Sequence, residues 1–509
     1  MESASIMIVA TIVLYLTGMV LVGVYYGKKG SGSSDDFYLG GRKMGPLVTA
    51  MSAEASDMSS YLLMGLPGLA YLCGLPEVTW TCIGLAGGTY LNWLIVARRL
   101  RRYSARIGAI TVPDFFSRRF GDEKNRLSCI AAVVILVFFI PYTASGFKAI
   151  GTLFNSLFGV NYHTAMIVGA IVVIGYTVMG GFMAVSFTDL IQSIFMTIAL
   201  IAVVLFGIHQ AGGLTTVIDN ASALPGYLDL TKGYDVATGA EASFGGLSIV
   251  STLAWGLGYF GMPHILLRFM AIEDDRKLKT SRRIATIWVV ISMFIAVVIG
   301  VVGSAMVKNG AMGALADKET IIVQIANLLS QHGVVAALLA GVILAGILAS
   351  TMSTADSQLL AASSGVSENI LGSLFNLNLS AKAKMIVARV TLLGIAVVGI
   401  FMAWDSNASV FKIVSFAWAG FGASFGPVML LALFWRRSNR YGAVAGMIAG
   451  AVMVFLWKYC IADLAPVLKI YELLPAFLFG LLVNVVVSLC TPAPDKEVLE
   501  QYDAVKAEK

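Results

Sequence analysis

Ser52-Ala-Glu-Ala-Ser-Asp-Met-Ser-Ser-Tyr61 interrupts a segment, 45–72, that is otherwise apolar enough to cross a bilayer. The stretch carries two carboxylates and four serines, and Gly65, Pro67 and Gly68 follow it. Ionisable groups in hydrocarbon are costly and persist where they face a bundle interior or a watery cavity. A helix broken at that depth needs protein, water or a bound ion to satisfy its freed backbone groups. The pattern predicts a solute or ion site inside a helical bundle.

The rest of the chain agrees with a membrane setting. Only 13% of the 509 residues are charged, against about 25% in a soluble domain. Mean hydropathy is +0.84. Apolar runs of about 20 residues, the length that spans a bilayer, recur from end to end. We expect an all-α polytopic membrane protein of about thirteen spans: 6–27, 45–72, 78–97, 127–157, 163–180, 186–209, 246–270, 284–308, 334–366, 383–404, 409–435, 440–462 and 470–491. The first run is too long for a signal-peptide core and lacks a basic start, so it reads as a retained helix.

Loop charge predicts the orientation. Arg98, Arg99, Arg101, Arg102, Arg106, Arg118, Arg119, Lys124 and Arg126 crowd one loop. Arg276, Lys277, Lys279, Arg282 and Arg283 crowd another, and Arg436, Arg437 and Arg440 a third. The alternate loops are nearly free of positive charge; 210–245 has only Lys232. Basic loops stay cytoplasmic, so the N-terminus is expected outside and the C-terminus inside. The net charge of +6 reports this topology and not a nucleic-acid surface, because the aromatic residues sit in apolar runs.

The outer loop 210–245 separates two blocks of five spans. The first, 45–209, opens with the polar broken helix. The second, 246–435, opens with Trp255-Gly-Leu-Gly-Tyr-Phe-Gly-Met-Pro-His264. Interrupted helices at matching places in two halves point to inverted repeats around a midplane site. The chain then divides into an extra helix and cytoplasmic loop (1–44), a first repeat (45–209), an outer loop (210–245), a second repeat (246–435), and two peripheral helices with a cytoplasmic tail (436–509).

Ala55 and Met58 flank the expected break, where unwinding turns carbonyls toward a cation. A hard cation takes about five or six oxygens. Ser350, Ser353 and Thr354 share one helix face by i, i+3, i+4 spacing and supply neutral oxygens. Taken alone, such hydroxyls are as well explained as helix–helix glue. Asp57 lies deep. Asp189 lies near a cytoplasmic turn, where a carboxylate also suits a helix N-terminus. Tyr142, Trp255, Tyr259 and Pro263 line interrupted or proline-bearing helices; rings with polar tips suit a small zwitterion and equally an ordinary core.

Several chemistries are excluded. No GxxxxGK[ST] motif occurs, so ATP drive from this chain is not expected. Gly422-Ala-Ser-Phe-Gly426 matches a nucleophile elbow by letter but lies in an apolar run with no preceding strand. Five scattered cysteines and four separated histidines form no metal spacing. No catalytic set is visible, and an enzyme is not expected. A membrane sensor on a transporter scaffold usually carries an added signalling domain, and about 18 residues follow the last span. No obligate protein partner is inferred.

Leu39-Gly-Gly-Arg42, Gly45-Pro46, Ser56-Asp57-Met58-Ser59, Leu62-Leu-Met-Gly-Leu-Pro-Gly68, Trp255-Gly-Leu-Gly-Tyr-Phe-Gly261, Pro263-His264, Met352-Ser353-Thr354 and Ala417-Trp-Ala-Gly-Phe-Gly-Ala423 together resemble the sodium/solute symporter family, most of all its bacterial sodium/proline branch. The resemblance implies a LeuT-type 5+5 inverted-repeat bundle in the bacterial plasma membrane and Na+-coupled uptake of L-proline or a similar small zwitterion by alternating access. It implies sodium near Ala55, Met58, Ser350, Ser353 and Thr354, and a requirement for Asp57. Ser59, Ser60, Tyr61, Tyr142, Trp255, Tyr259 and Pro263 would lie close to the solute. Arg42 would serve the cytoplasmic half of the cycle. Some relatives use a second sodium site, in which Asp189 would join the serine face.

Five residues depart from the familiar pattern: Glu54, Ser60, Tyr61, Met262 and Asp356. They sit in or beside the expected pocket. They leave open another solute, such as an amino acid or betaine, and a proton-binding role for Glu54 or Asp356.

Overall fold

Backbone amides and carbonyls in hydrocarbon must be satisfied within the segment, so apolar runs of this length fold as helices. The computed structural model describes residues 2–29, 34–374 and 380–508; part of the expected cytoplasmic loop before residue 44 lies outside them. The principal helices are α1 (Glu2–Lys29), α2 (Pro46–Ser60), α3 (Leu66–Cys73), α4 (Leu75–Leu91), α5 (Ala97–Arg106), α6 (Arg126–Phe158), α7 (Tyr162–Gln210), α8 (Gly246–Leu253), α9 (Pro263–Ala271), α10 (Leu278–Lys308), α11 (Val334–Ser364), α12 (Ala381–Met402), α13 (Val410–Phe434), α14 (Arg440–Leu456), α15 (Leu473–Cys490) and α16 (Lys496–Ala507).

Among the described residues, eight helices are long and apolar enough to cross a membrane, and three shorter apolar helices accompany them: Tyr162–Gly175, Gly246–Phe260 and Ile386–Met402. The interrupted segments account for the difference from an uninterrupted count. α2 and α3 are separated by a π-helical turn, Tyr61–Gly65, and α4 and α5 by another, Asn92–Val96. α7 consists of two helical parts that meet at a kink at Gly181 (φ 62°, ψ −173°), a conformation glycine reaches without steric cost. Proline sets the first turns of α2, α4 and α9, where its missing N–H costs nothing.

α11 runs along α7, α1, α2 and α6, so the serine face sits in the middle of the bundle. α14 and α15 pack on each other and on α13 at the periphery. The start of the first broken helix meets the end of the second. Met44 and Ile272 form a parallel bridge, with Met44 N donating to the Ala271 carbonyl (3.2 Å) and Glu273 N to the Met44 carbonyl (3.0 Å).

The loop 210–245 is more ordered than its composition suggests. It holds a short helix, Leu214–Ser222, and an antiparallel hairpin of β1 (Lys232–Asp235) and β2 (Ala240–Ser243), with Lys232 opposite Ser243. Tyr227 seats the loop on the end of α3: its hydroxyl donates to the Ala70 carbonyl (2.7 Å) and its carbonyl accepts from Leu75 N (2.8 Å).

Candidate functional site

The break in the first helix falls at Ser59 (φ 47°, ψ −168°). A non-glycine residue in that region is strained, and here it is held by its own surroundings. Tyr61 N donates to the Ser59 hydroxyl (3.1 Å) and to the Met58 and Ser59 carbonyls. Two carbonyls on the approach to the break are met from other helices. Ala55 O accepts from the Ser353 hydroxyl at 2.8 Å, and Asp57 O from the Tyr142 hydroxyl at 3.3 Å. The Asp57 carboxylate accepts from the Tyr259 hydroxyl at 2.5 Å. α2, α6, α11 and the segment between α8 and α9 thus converge on one helical turn.

That last segment, Ala254–Phe260, is a 3-10 stretch. Its glycines permit the close approach: a Cβ on Gly256 would strike the Gly84 carbonyl of α4, and one on Gly258 would strike the Trp418 indole of α13. Trp418 Nε1 in turn donates to the Trp255 carbonyl (2.8 Å). Pro263 opens α9 just past the break.

The structure places the expected oxygens on one face of α11. Ser350, Ser353 and Thr354 are all buried. The Ser350 carbonyl accepts from the Ser353 hydroxyl (3.3 Å) and the Thr354 hydroxyl (3.2 Å). Beside them a water-sized cavity of about 10 Å³ is lined by Ser59, Ser60, Tyr142, Thr143, Thr354 and Gln358, among others. Ser60 Oγ and Gln358 Nε2 are buried there without a hydrogen-bond partner. Gln358 was not expected from sequence, although it stands four residues after Thr354 and so shares its face.

Aromatic rings cover the turn. Tyr61 lies 5.6 Å from the Trp255 ring and 5.8 Å from Phe411. Tyr471 stacks on the other side of Trp255 at 4.8 Å. Glu319, from the loop after α10, fixes this cover: its carboxylate accepts from Ser409 Oγ (2.8 Å), Val410 N (3.0 Å) and Phe411 N (3.2 Å). It caps α13 from a distant part of the chain, and an anion is favourable there.

Other expected residues lie apart from this turn. Arg42 is in the left-handed region (φ 54°) and binds the opposite end of the bundle. It donates to the carbonyls of Met270 (2.7 Å), Ala109 (2.6 Å) and Ser104 (3.2 Å), joining the ends of α9 and α5. Asp189 is buried within the second half of α7. It accepts from Ser52 Oγ (2.6 Å) and Arg268 Nη2 (3.1 Å); its hydrogen bonds do not reach the serine face.

Glu54 is buried, accepts from Trp93 Nε1 (2.9 Å) and leaves Oε2 without a partner. Asp356 accepts from its neighbour Ser357 (3.3 Å). Met262 is the residue preceding α9 and is buried. No group of three or more His, Cys, Asp or Glu able to hold a metal occurs among the described residues.

A buried turn with neutral oxygens, one carboxylate and a water-sized polar cavity suits a hard monovalent cation. Residues 37–450 match the model of the Sodium:solute symporter family. The chain belongs to that family. The High-affinity proline transporter PutP of Bacillus subtilis (strain 168) is 43% identical over 487 residues, 95% of this chain and 98% of the relative. The Sodium/proline symporter of Haemophilus influenzae (strain ATCC 51907 / DSM 11121 / KW20 / Rd) is 42% identical over 509 residues, 98% and 97% of the two chains. A solved substrate-bound, outward-open Na+-coupled sialic acid symporter superposes with TM-score 0.78 at 18% identity, covering 96% of this chain and 99% of that one. MhsT, solved in complex with L-phenylalanine, gives TM-score 0.54 at 12% identity, covering 87% and 98%. The fold is the LeuT-type bundle, and the protein is a multi-pass membrane protein of a transporter family.

Proposed function

We propose that this chain carries L-proline into the cell together with sodium by alternating access, and that it is not an enzyme. The observation that carries the reading is the turn at Ser59. There the Ala55 carbonyl meets the Ser353 hydroxyl at 2.8 Å, and the next turn presents Asp57 to Tyr259 and Tyr142. Sodium is held by the Ala55 and Met58 carbonyls and by the hydroxyls of Ser350, Ser353 and Thr354. Proline sits against Ser59, Ser60, Tyr142 and the aromatic cover. Its carboxylate and ammonium need partners of opposite polarity, and Ser60 Oγ and Gln358 Nε2 are unpaired donors at hand.

Residues 45–209 and 246–435 are the two inverted repeats, and Arg42 closes the path on the side of the basic loops. That side is cytoplasmic, so the N-terminus is outside and the C-terminus inside.

A second reading keeps the mechanism and changes the solute. Tyr61, Trp255 and Phe411 contact one another pairwise, and a cage of rings also accepts a quaternary ammonium. Radiolabelled proline uptake into proteoliposomes tests both. We expect uptake that needs an inward sodium gradient, rises with an inside-negative potential and is competed by proline above betaines. Uptake unchanged when choline replaces sodium refutes the coupling; stronger competition by a betaine moves the assignment to the second reading.

A further inference from the structure

Lys124, Arg126 and Arg440 border a groove of about 390 Å³ where two membrane helices begin. Arg126 is the first residue of α6 and Arg440 the first of α14, and each opens a segment long and apolar enough to cross a membrane. The two helices pack on each other, so the groove lies between their starting ends, on the side of the basic loops. Its size falls within the roughly 300–1,000 Å³ of small-molecule sites.

Three cations stand at its rim without acid partners. Elsewhere in the basic loops arginines find carboxylates: Arg98 and Arg102 meet Asp275, Arg118 meets Asp114, and Arg436 meets Asp503. Lys124, Arg126 and Arg440 enter no ion pair among the described residues, although Asp122 and Glu123 line the same groove. Asp122 is committed elsewhere: its Oδ2 accepts from Leu127 N (2.6 Å) and caps the first turn of α6. Arg440 Nη2 donates to the hydroxyl of its neighbour Tyr441 (3.3 Å), and its guanidinium lies 5.1 Å from that ring's centroid. The groove therefore carries three positive charges against two negative ones, one of which serves as a helix cap. The two helix N-termini add the positive ends of their dipoles.

Away from the rim the lining turns apolar. Ile130, Val444 and Ala445 form the floor. On α14, Tyr441, Ala445, Ile448 and Val452 recur at i, i+4, i+7 and i+11 and so share one stripe; Tyr441, Ile448 and Val452 are exposed. On α6, Ile130, Val133 and Val137 recur at i, i+3 and i+7, and Val133 and Val137 are exposed. Another face of α14 is already taken, because Gly442 and Gly446 lie against Asn484 of α15. At about 1.5 Å per residue the stripe on α14 runs about 16 Å, the depth of one leaflet of a ~30 Å hydrocarbon core.

We propose that this groove is a binding site for an anionic phospholipid. The phosphate sits among Lys124, Arg126 and Arg440, and the acyl chains lie along the two stripes. A basic pocket between spans, with apolar walls that continue into the bilayer, matches both ends of such a molecule. Inorganic phosphate matches the rim but not the stripes. A neutral phospholipid matches the stripes but leaves the excess positive charge of the rim uncompensated. One lipid held by both helices pins the peripheral α14 to α6, the helix whose Tyr142 meets the broken turn. The site does not depend on which solute is carried.

The test is native mass spectrometry of the purified full-length protein, delipidated in detergent and titrated with dioleoylphosphatidylglycerol. We expect one tightly held lipid, with dioleoylphosphatidylcholine and dioleoylphosphatidylethanolamine bound about tenfold more weakly or worse. Lys124→Gln, Arg126→Gln and Arg440→Gln are each expected to weaken phosphatidylglycerol binding about fivefold, and the triple variant about 100-fold. Arg283→Gln, at an exposed position in another basic loop, is expected to leave it unchanged. Ala445→Trp keeps every charge, fills the floor of the groove and is expected to weaken binding about tenfold.

If the triple variant does not reach the membrane, the single variants and Ala445→Trp decide, since each sits at an exposed or half-buried position. Equal affinity for phosphatidylglycerol and the neutral lipids overturns the proposal, as does an affinity that none of the groove variants changes. An equal loss in Arg283→Gln reports a general effect of net charge and overturns it as well. Displacement of the lipid by an equal concentration of inorganic phosphate means that the rim takes a free anion, and the lipid assignment falls.

Discussion

Ser353→Ala is expected to raise the sodium concentration for half-maximal uptake by about 5- to 30-fold while leaving uptake at saturating sodium within about twofold. The magnitude follows from what the hydroxyl does. It is fully buried and donates to Ala55 O at 2.8 Å, so it joins α11 to the turn before the break. When sodium binds, both oxygens turn to the ion, and one neutral hydrogen bond is exchanged for two ion–oxygen contacts. Bonds to a charged group are roughly twice as strong as neutral ones, and a neutral bond is worth about 1 kcal/mol. Deleting the hydroxyl removes one side of that exchange, a net loss of about 1–2 kcal/mol in sodium affinity.

The substitution leaves no large cavity, and the Ala55 and Met58 carbonyls remain in place. The assay is initial-rate proline uptake in proteoliposomes across a sodium series, with equilibrium binding of sodium to the purified protein alongside. A rise in half-saturation with a preserved maximum means that an ion ligand was lost. A uniform fall at every sodium concentration, with unchanged equilibrium binding, refutes the assignment and makes Ser353 a packing residue between helices.

Tyr259→Phe removes the hydroxyl that bonds the Asp57 carboxylate and should lower uptake about 10- to 100-fold, with the spread set by about 1–3 kcal/mol for an unsatisfied buried acceptor. Adding Asp57→Asn to it should cost little more than Asp57→Asn alone, because the two act as one unit; additive losses in the double-mutant cycle count against the pairing. Tyr61→Trp with Ser60→Gly should change the competition profile among proline, betaines and small amino acids while sodium half-saturation stays within about threefold. An unaltered profile places both residues outside the solute pocket. Glu319→Ala uncaps three donors at the start of α13 and should lower thermal stability by about 1–2 kcal/mol, read as a reduced melting temperature in detergent; no shift means that water replaces the carboxylate without cost.

Much of the fold was legible because a bilayer leaves few choices. Apolar length and two interrupted helices each follow from a single strong physical penalty, and each is written in local sequence. The turn at Ser59 was legible for the same reason: carboxylates and serines at that depth have to be met by something. The exact position of the break was not. Tyr142, Ser353 and Tyr259, all remote in sequence, hold the carbonyls and carboxylate just before Ser59.

Arg268 carried a local signal, since it is a lone cation inside an apolar run, but its partner could not be read. Asp189 looked like a helix-terminal acid beside a turn, and only the fold brings the two within 3.1 Å. Phe411, Tyr471 and Glu319 carried no local signal, because an aromatic at a helix start and an acid in an outer loop are ordinary in isolation.

The aromatic cover and the Arg42–Arg268 end hold the bundle by different kinds of contact. At one end, Tyr61, Trp255, Phe411 and Tyr471 form a ring cluster. Such contacts are worth about 0.5–1.5 kcal/mol each beyond their burial and weaken gradually as rings slide. Toward the basic loops, the contacts are a desolvated ion pair and the three carbonyls held by Arg42. These bonds are directional and fail together once water enters.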